Sequence, residues 1–142
     1  MHTETSTALY LLRRFAIYGL IGLAVEVIYT GLASLLAGDL SMHGFSFVVM
    51  FPVYGLAVFL EPLHTRLRDL PWWVRGFTYL ILIWVIEYLS GMFLRLFIGT
   101  CPWTYTDPLN IDGLITLRMA PEWFVAGLIF ERIHTFLDEH AI

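Results

Sequence analysis

VRGFTYLILIWVIEYLSGMFLRLFI, residues 74–98, decides the fold class of this chain. Between Arg75 and Arg95 its only charged side chain is Glu87. A helix rises about 1.5 Å per residue, so roughly 20 such residues cross a hydrocarbon core of about 30 Å. The run is long enough to do so, and it is flanked by arginines where the lipid would end.

Three further apolar runs surround it, at residues 15–37, 44–63 and 114–137. Hydrophobic residues make up 58% of the 142, charged ones only 14%, and a core built by so short a chain cannot hide four such runs. The expectation is an all-α integral membrane four-helix bundle, a single transmembrane domain over 1–142. Pro52 and Pro62 interrupt the second run and Pro121 lies early in the fourth; membrane helices tolerate proline where neighbours satisfy the freed backbone groups. Pro62 is expected to pull Glu61 away from helical geometry. The first span is too long for a signal-peptide core and lacks a clean cleavage site, so it is expected to stay in the mature protein. The single Cys101 excludes an internal disulfide.

All eight basic residues other than histidine are arginines. Arg13 and Arg14 precede the first span, Arg66, Arg68 and Arg75 lie between the second and third, and Arg132 is near the end of the fourth. Only Arg95 and Arg118 lie toward the other side, with Asp39, Asp107 and Asp112. The positive-inside rule then puts both termini and the 64–73 loop in the cytoplasm. Trp72 and Trp73 in that loop suit the interfacial aromatic belt, and its arginines suit anionic head groups. The opposite segment, GTCPWTYTDPLNIDGLITL at 99–117, is rich in turn residues and should be irregular. Its Trp103, Tyr105, Leu109, Ile111 and Leu114 favour an ordered outer cap between the third and fourth helices.

Each span carries a glutamate deep in its run, Glu26, Glu61, Glu87 and Glu131, and the fourth also has Glu122 near its start. Ionisable groups in hydrocarbon are costly and normally face the bundle interior, a partner or a water-filled path. Counted inward from the cytoplasmic ends, the four fall roughly 5–20 Å deep, so a shared layer is expected. Gly19, Gly22 and Ala33 share the face of Glu26, and small residues let another helix approach. Tyr29 and Tyr88 are expected as hydrogen-bond donors to the acids, and Arg95 and trapped cations or protons as compensation for their charge.

FLEPLH at 59–64 and FERIH at 130–134 each contain Glu-x-x-His, a spacing that sets both side chains on one helical face. Di-iron and di-manganese bundles combine two such motifs with one glutamate from each of two other helices. Glu26, Glu61, His64, Glu87, Glu131 and His134 supply that inventory, so a divalent Fe or Mn pair is one expectation and no cofactor the other. A hydrolytic triad, a phosphate loop and a nucleic-acid patch are absent.

EYLSGMFLRLFIGTCPWTYTDPLNIDGLITL and EWFVAGLIFE, together with GLAVEVIYTG and FPVYGLAVFLE, resemble the animal transmembrane protein 229 family. They also resemble the small bacterial membrane proteins described as type IV ABC-transporter, CmpB-like permeases. The likeness covers nearly the whole chain. It implies family positions at Glu26, Pro52, Tyr54, Gly55, Glu87, Trp103, Tyr105, Asn110, Gly113 and Trp123, and in the animal members also at Glu61, Arg95, Pro102 and Glu131. Thr104 departs from the bacterial pattern, which has an acid there, and His64 and His134 lie outside the pattern.

The leading expectation is a multi-pass protein of the bacterial inner membrane, permease-like or transporter-associated. Its acids would bind protons or cations, with Tyr29, Tyr88, Arg95, Trp103, Tyr105, Asn110 and Trp123 in support. Its partners would be the lipid bilayer and either further copies of itself or a transporter subunit. Two alternatives belong to other classes: a membrane metalloenzyme acting on a lipid or quinone, and a non-catalytic scaffold or assembly subunit. Enzymatic activity is left open.

Overall fold

The computed structural model describes residues 2–140 and 142. Helix α1 spans His2–Leu36, α2 Met50–Gly55, a 3-10 stretch Leu56–Leu60, α3 Glu61–Leu67, α4 Trp72–Ile98 and α5 Ala120–Glu139. Between α4 and α5, strands β1 (Asn110–Ile111) and β2 (Ile115–Thr116) form an antiparallel hairpin, with Ile111 opposite Ile115. The chain divides into two compact units, Met1–Phe59 and Leu60–Ile142.

In the first unit α1 runs unbroken until Gly38, whose φ of +96° puts it in the left-handed region. The Gly38 amide then donates to Leu35 O and the Asp39 amide to Ser34 O, which satisfies carbonyls that a helix end otherwise leaves orphaned. The apolar run 44–63 was expected to be helical from its start, but residues 43–47 have no regular structure and helix begins at Met50. Backbone bonding explains the difference. Phe45 donates to Thr30 Oγ1 and accepts from it, at 2.8 and 2.9 Å, and a Cβ on Gly44 would meet the Val27 carbonyl. This stretch therefore spends its polar groups on α1. The glycines of α1 admit α2 closely, as the small-residue face predicts: Gly22 lies against the Tyr54 ring and Gly19 against Phe51. Phe51 in turn meets Phe15 edge to face, with ring centres 6.0 Å apart.

In the second unit Pro71 caps α4 and Gly99, at φ +83°, ends it. Helix α5 packs on α4 where Gly127 faces Tyr79 and Gly76 faces Phe124, and Phe124 also meets Phe77 at 5.2 Å. The fourth run, expected to be helical from Leu114, gives its first residues to β2 and a 3-10 turn, and α5 starts at Ala120 with Pro121 in its first turn. Pro62 does not displace Glu61. It too stands in a first turn, that of α3, where its missing N–H has no intrahelical partner to lose, so Glu61 and His64 are both helical and both buried.

Helices α1 and α4 contain segments, Thr7–Leu36 and Trp72–Ile98, long and apolar enough to cross a membrane. Only 17% of each apolar window is buried, whereas a core helix of a soluble protein would be mostly covered.

Candidate functional site

Glu26, Glu87 and Glu131 each accept a hydrogen bond from a tyrosine hydroxyl. In the first unit Glu26 Oε2 receives Tyr54 at 2.8 Å and the Ser46 hydroxyl at 3.0 Å. Tyr54 comes from α2, and Ser46 from the irregular stretch that Thr30 clamps to α1. Two donors converging on one oxygen are what a carboxylate needs when it is half removed from water. Tyr29, expected beside the acids, is 46% exposed.

In the second unit Glu87 is buried, and its Oε1 accepts from Tyr105 at 2.7 Å. Tyr105 belongs to the 99–117 loop, which is ordered by its own backbone and by α4. Its amide donates to Gly113 O, and Trp103 Nε1 donates to Leu114 O at 3.0 Å. Asp112 and Gly113 follow one another at φ +54° and +68°, the two left-handed residues of a tight hairpin turn. Asn110 locks that turn through its side chain, with Oδ1 accepting from the Gly113 amide at 2.8 Å. Two α4 side chains then hold the turn: Tyr88 donates to Asp112 Oδ2 at 2.7 Å and Arg95 to Asp112 O at 2.8 Å. Tyr88 and Arg95, expected to serve the acids directly, thus anchor the loop that brings Tyr105 to Glu87. Trp123 Nε1 is buried and has no hydrogen-bond partner among the described residues.

Glu131 on α5 has a different neighbourhood. Its Oε2 accepts from Tyr79 at 2.5 Å and its Oε1 pairs with Arg75 at 2.9 Å, both from α4. The pair is mostly withdrawn from solvent, with side chains 16% and 12% exposed, so the arginine neutralises a charge that the interior would otherwise penalise. Within this unit the acids are held at separate levels, because Glu87 stands two turns along α4 from Tyr79. Glu61 is buried at the start of α3.

Both Glu-x-x-His histidines are buried, and their rings face each other with centres 5.3 Å apart. Among the described residues no group of three or more His, Cys, Asp or Glu side chains is arranged to hold a metal ion.

Tyr79 and Ser46 are the contacts that sequence reasoning missed. A signal existed for Tyr79: it stands four residues after Arg75, on the helical face that meets α5. None existed for Ser46, whose position depends on an apolar stretch declining to form helix.

A model of the family described as "Putative ABC-transporter type IV" matches residues 13–141. No solved structure matches the chain.

Proposed function

Because the chain belongs to the family described as Putative ABC-transporter type IV, we propose that it is a transporter-associated, permease-like protein of the inner membrane whose intramembrane glutamates bind protons or cations. In this reading the chain is multi-pass, with both termini cytoplasmic and the 99–117 loop outside. It acts beside a transporter subunit or further copies of itself. The observation that carries the reading is the repeated carboxylate–tyrosine pair at Glu26–Tyr54, Glu87–Tyr105 and Glu131–Tyr79. A packing role alone is served by apolar side chains, whereas ionisable groups kept inside a membrane protein mark ion or proton pathways. A phenol beside a carboxylate serves either protonation state, because its hydroxyl both donates and accepts.

The test is a flux measurement in proteoliposomes. With a pH or cation gradient imposed, wild-type protein should dissipate it, and Glu26→Gln with Glu87→Gln should slow the dissipation at least about tenfold while leaving the protein folded. Equal flux in the double variant would sink the proposal. Native purification supplies the partner arm, in which a stoichiometric ATPase subunit should accompany the wild-type chain.

A further inference from the structure

We propose that His64 and His134 form a buried two-histidine binding site for a single imidazole-preferring divalent cation of the Zn2+, Co2+ or Ni2+ class. The inference stands apart from the carboxylate reading above, since it uses none of the glutamates. It also differs from the six-ligand Fe or Mn pair expected from the sequence, because Glu131 is already engaged by Arg75 and Tyr79.

Both imidazoles are nearly sealed from solvent, His64 at 3% and His134 at 4% exposure. Burying a polar group without a partner is unfavourable, and most buried side-chain polar atoms are bonded. Here three ring nitrogens break that rule among the described residues: Nδ1 and Nε2 of His64, and Nδ1 of His134. The two rings come from α3 and α5 and face each other at 5.3 Å between centres, tilted by 43°. An imidazole nitrogen binds Zn2+ at about 2.0–2.1 Å, which sets the ring centres of two imidazoles on one tetrahedral ion roughly 5 Å apart. The observed spacing fits.

The fourth nitrogen supplies a second, independent argument. His134 Nε2 lies 3.2 Å from Asp138 Oδ2, one turn on along α5. A ligating histidine typically gives its other ring N–H to a carboxylate, which fixes the tautomer and turns the lone pair toward the metal. Asp138 thus selects the tautomer that leaves the lone pair on Nδ1, the nitrogen with no protein partner. The Tyr79 ring packs edge-on against His64 at 4.9 Å and limits its rotation. Two protein nitrogens leave the remaining positions of a four-coordinate ion to small donors such as water.

The experiment uses the full chain, purified in detergent and stripped with chelator. Titration with Co2+ should give one equivalent per chain with the intense visible bands of four-coordinate cobalt, displaced by Zn2+. His64→Gln and His134→Gln should each weaken binding at least about tenfold, and Asp138→Asn by about tenfold, the range for removing an orienting carboxylate. His43→Ala, in the other unit, should bind as wild type. Should a Gln variant fail to fold, His64→Cys keeps a metal donor and should retain the cobalt bands. The site is overturned if wild type shows only the pale spectrum of solvated six-coordinate cobalt, or if both Gln variants bind unchanged. Flux and cobalt binding are separate readouts, so loss of one with retention of the other tells which proposal has failed.

Discussion

Asp39 shows how much one residue can organise. Its carboxylate takes His43 Nδ1 at 2.5 Å, the Ser34 hydroxyl at 2.8 Å and the Ser41 amide at 2.9 Å. The His43 contact, then those of Ser34 and Ser41, hold its carboxyl at about 2, below the ordinary 3.8. A lowered carboxyl pKa contributes stability that is complete above the ordinary value and is lost as pH falls through the lowered one. The 38–43 turn should therefore keep its structure at pH 4 and loosen toward pH 2. NMR titration of the Asp39 carboxyl should give a midpoint near 2 that rises in His43→Ala; a wild-type midpoint near 3.8 contradicts the geometry. Arg75 and Glu131 make a second residue-scale case. Removing one partner of a buried ion pair strands the other, so Arg75→Met should cost about 3–5 kcal/mol. Adding Glu131→Gln should recover a large part of it. Equilibrium unfolding in mixed micelles reads both values, and a strictly additive double variant would show the pair to be uncoupled.

At the scale of elements, glycines separate two kinds of constraint. A side chain at Gly127 would meet the Tyr79 ring, so Gly127→Val should push α5 off α4 at a cost of about 1–3 kcal/mol. Gly38 has nothing within 4 Å, yet its φ of +96° makes Gly38→Ala unfavourable by about 1 kcal/mol through backbone strain alone. A thermal shift larger for Gly38→Ala than for Gly127→Val would reverse this ranking. Elements were also where the sequence was most and least readable. The helices α1 and α4 were legible because their runs are long, uniformly apolar and closed by Gly38 and Gly99. The Asp112-Gly113 hairpin was legible in principle, since consecutive residues tolerant of positive φ are its signature, but its strands are only two residues each and offer no alternation to count. The start of the second run was not legible. Residues 44–49, GFSFVV, read as helix only because they open a long apolar run, and their irregular course is set by Thr30 and Val27, more than ten positions away. Prolines misled in the opposite sense, because Pro62 breaks a helix only in its interior and here stands in the first turn.

For the whole molecule, the exposed apolar surface sets the clearest expectation. Leu20, Ile28 and Leu32 on α1 and Ile81, Leu89 and Phe93 on α4 are all exposed, and water does not tolerate so much continuous hydrocarbon. The chain should sediment with membranes and remain there after alkaline washing, while detergent releases it. Release by alkali alone would remove the bilayer from the argument. The acids were legible as charged groups set within apolar runs, and Tyr54 and Tyr105 only through family resemblance, because contacts between distant segments leave no periodic trace. The spacing along α4 has a last consequence. Tyr79, which holds Glu131, and Glu87 are separated by about 12 Å of helix rise, whereas a proton hops across a hydrogen bond of about 3 Å. At that backbone spacing a proton passing between the two levels is expected to cross several hydrogen bonds rather than one. Water molecules, or groups lent by another subunit, would supply such steps, so transfer between the two levels would be governed by hydration and assembly.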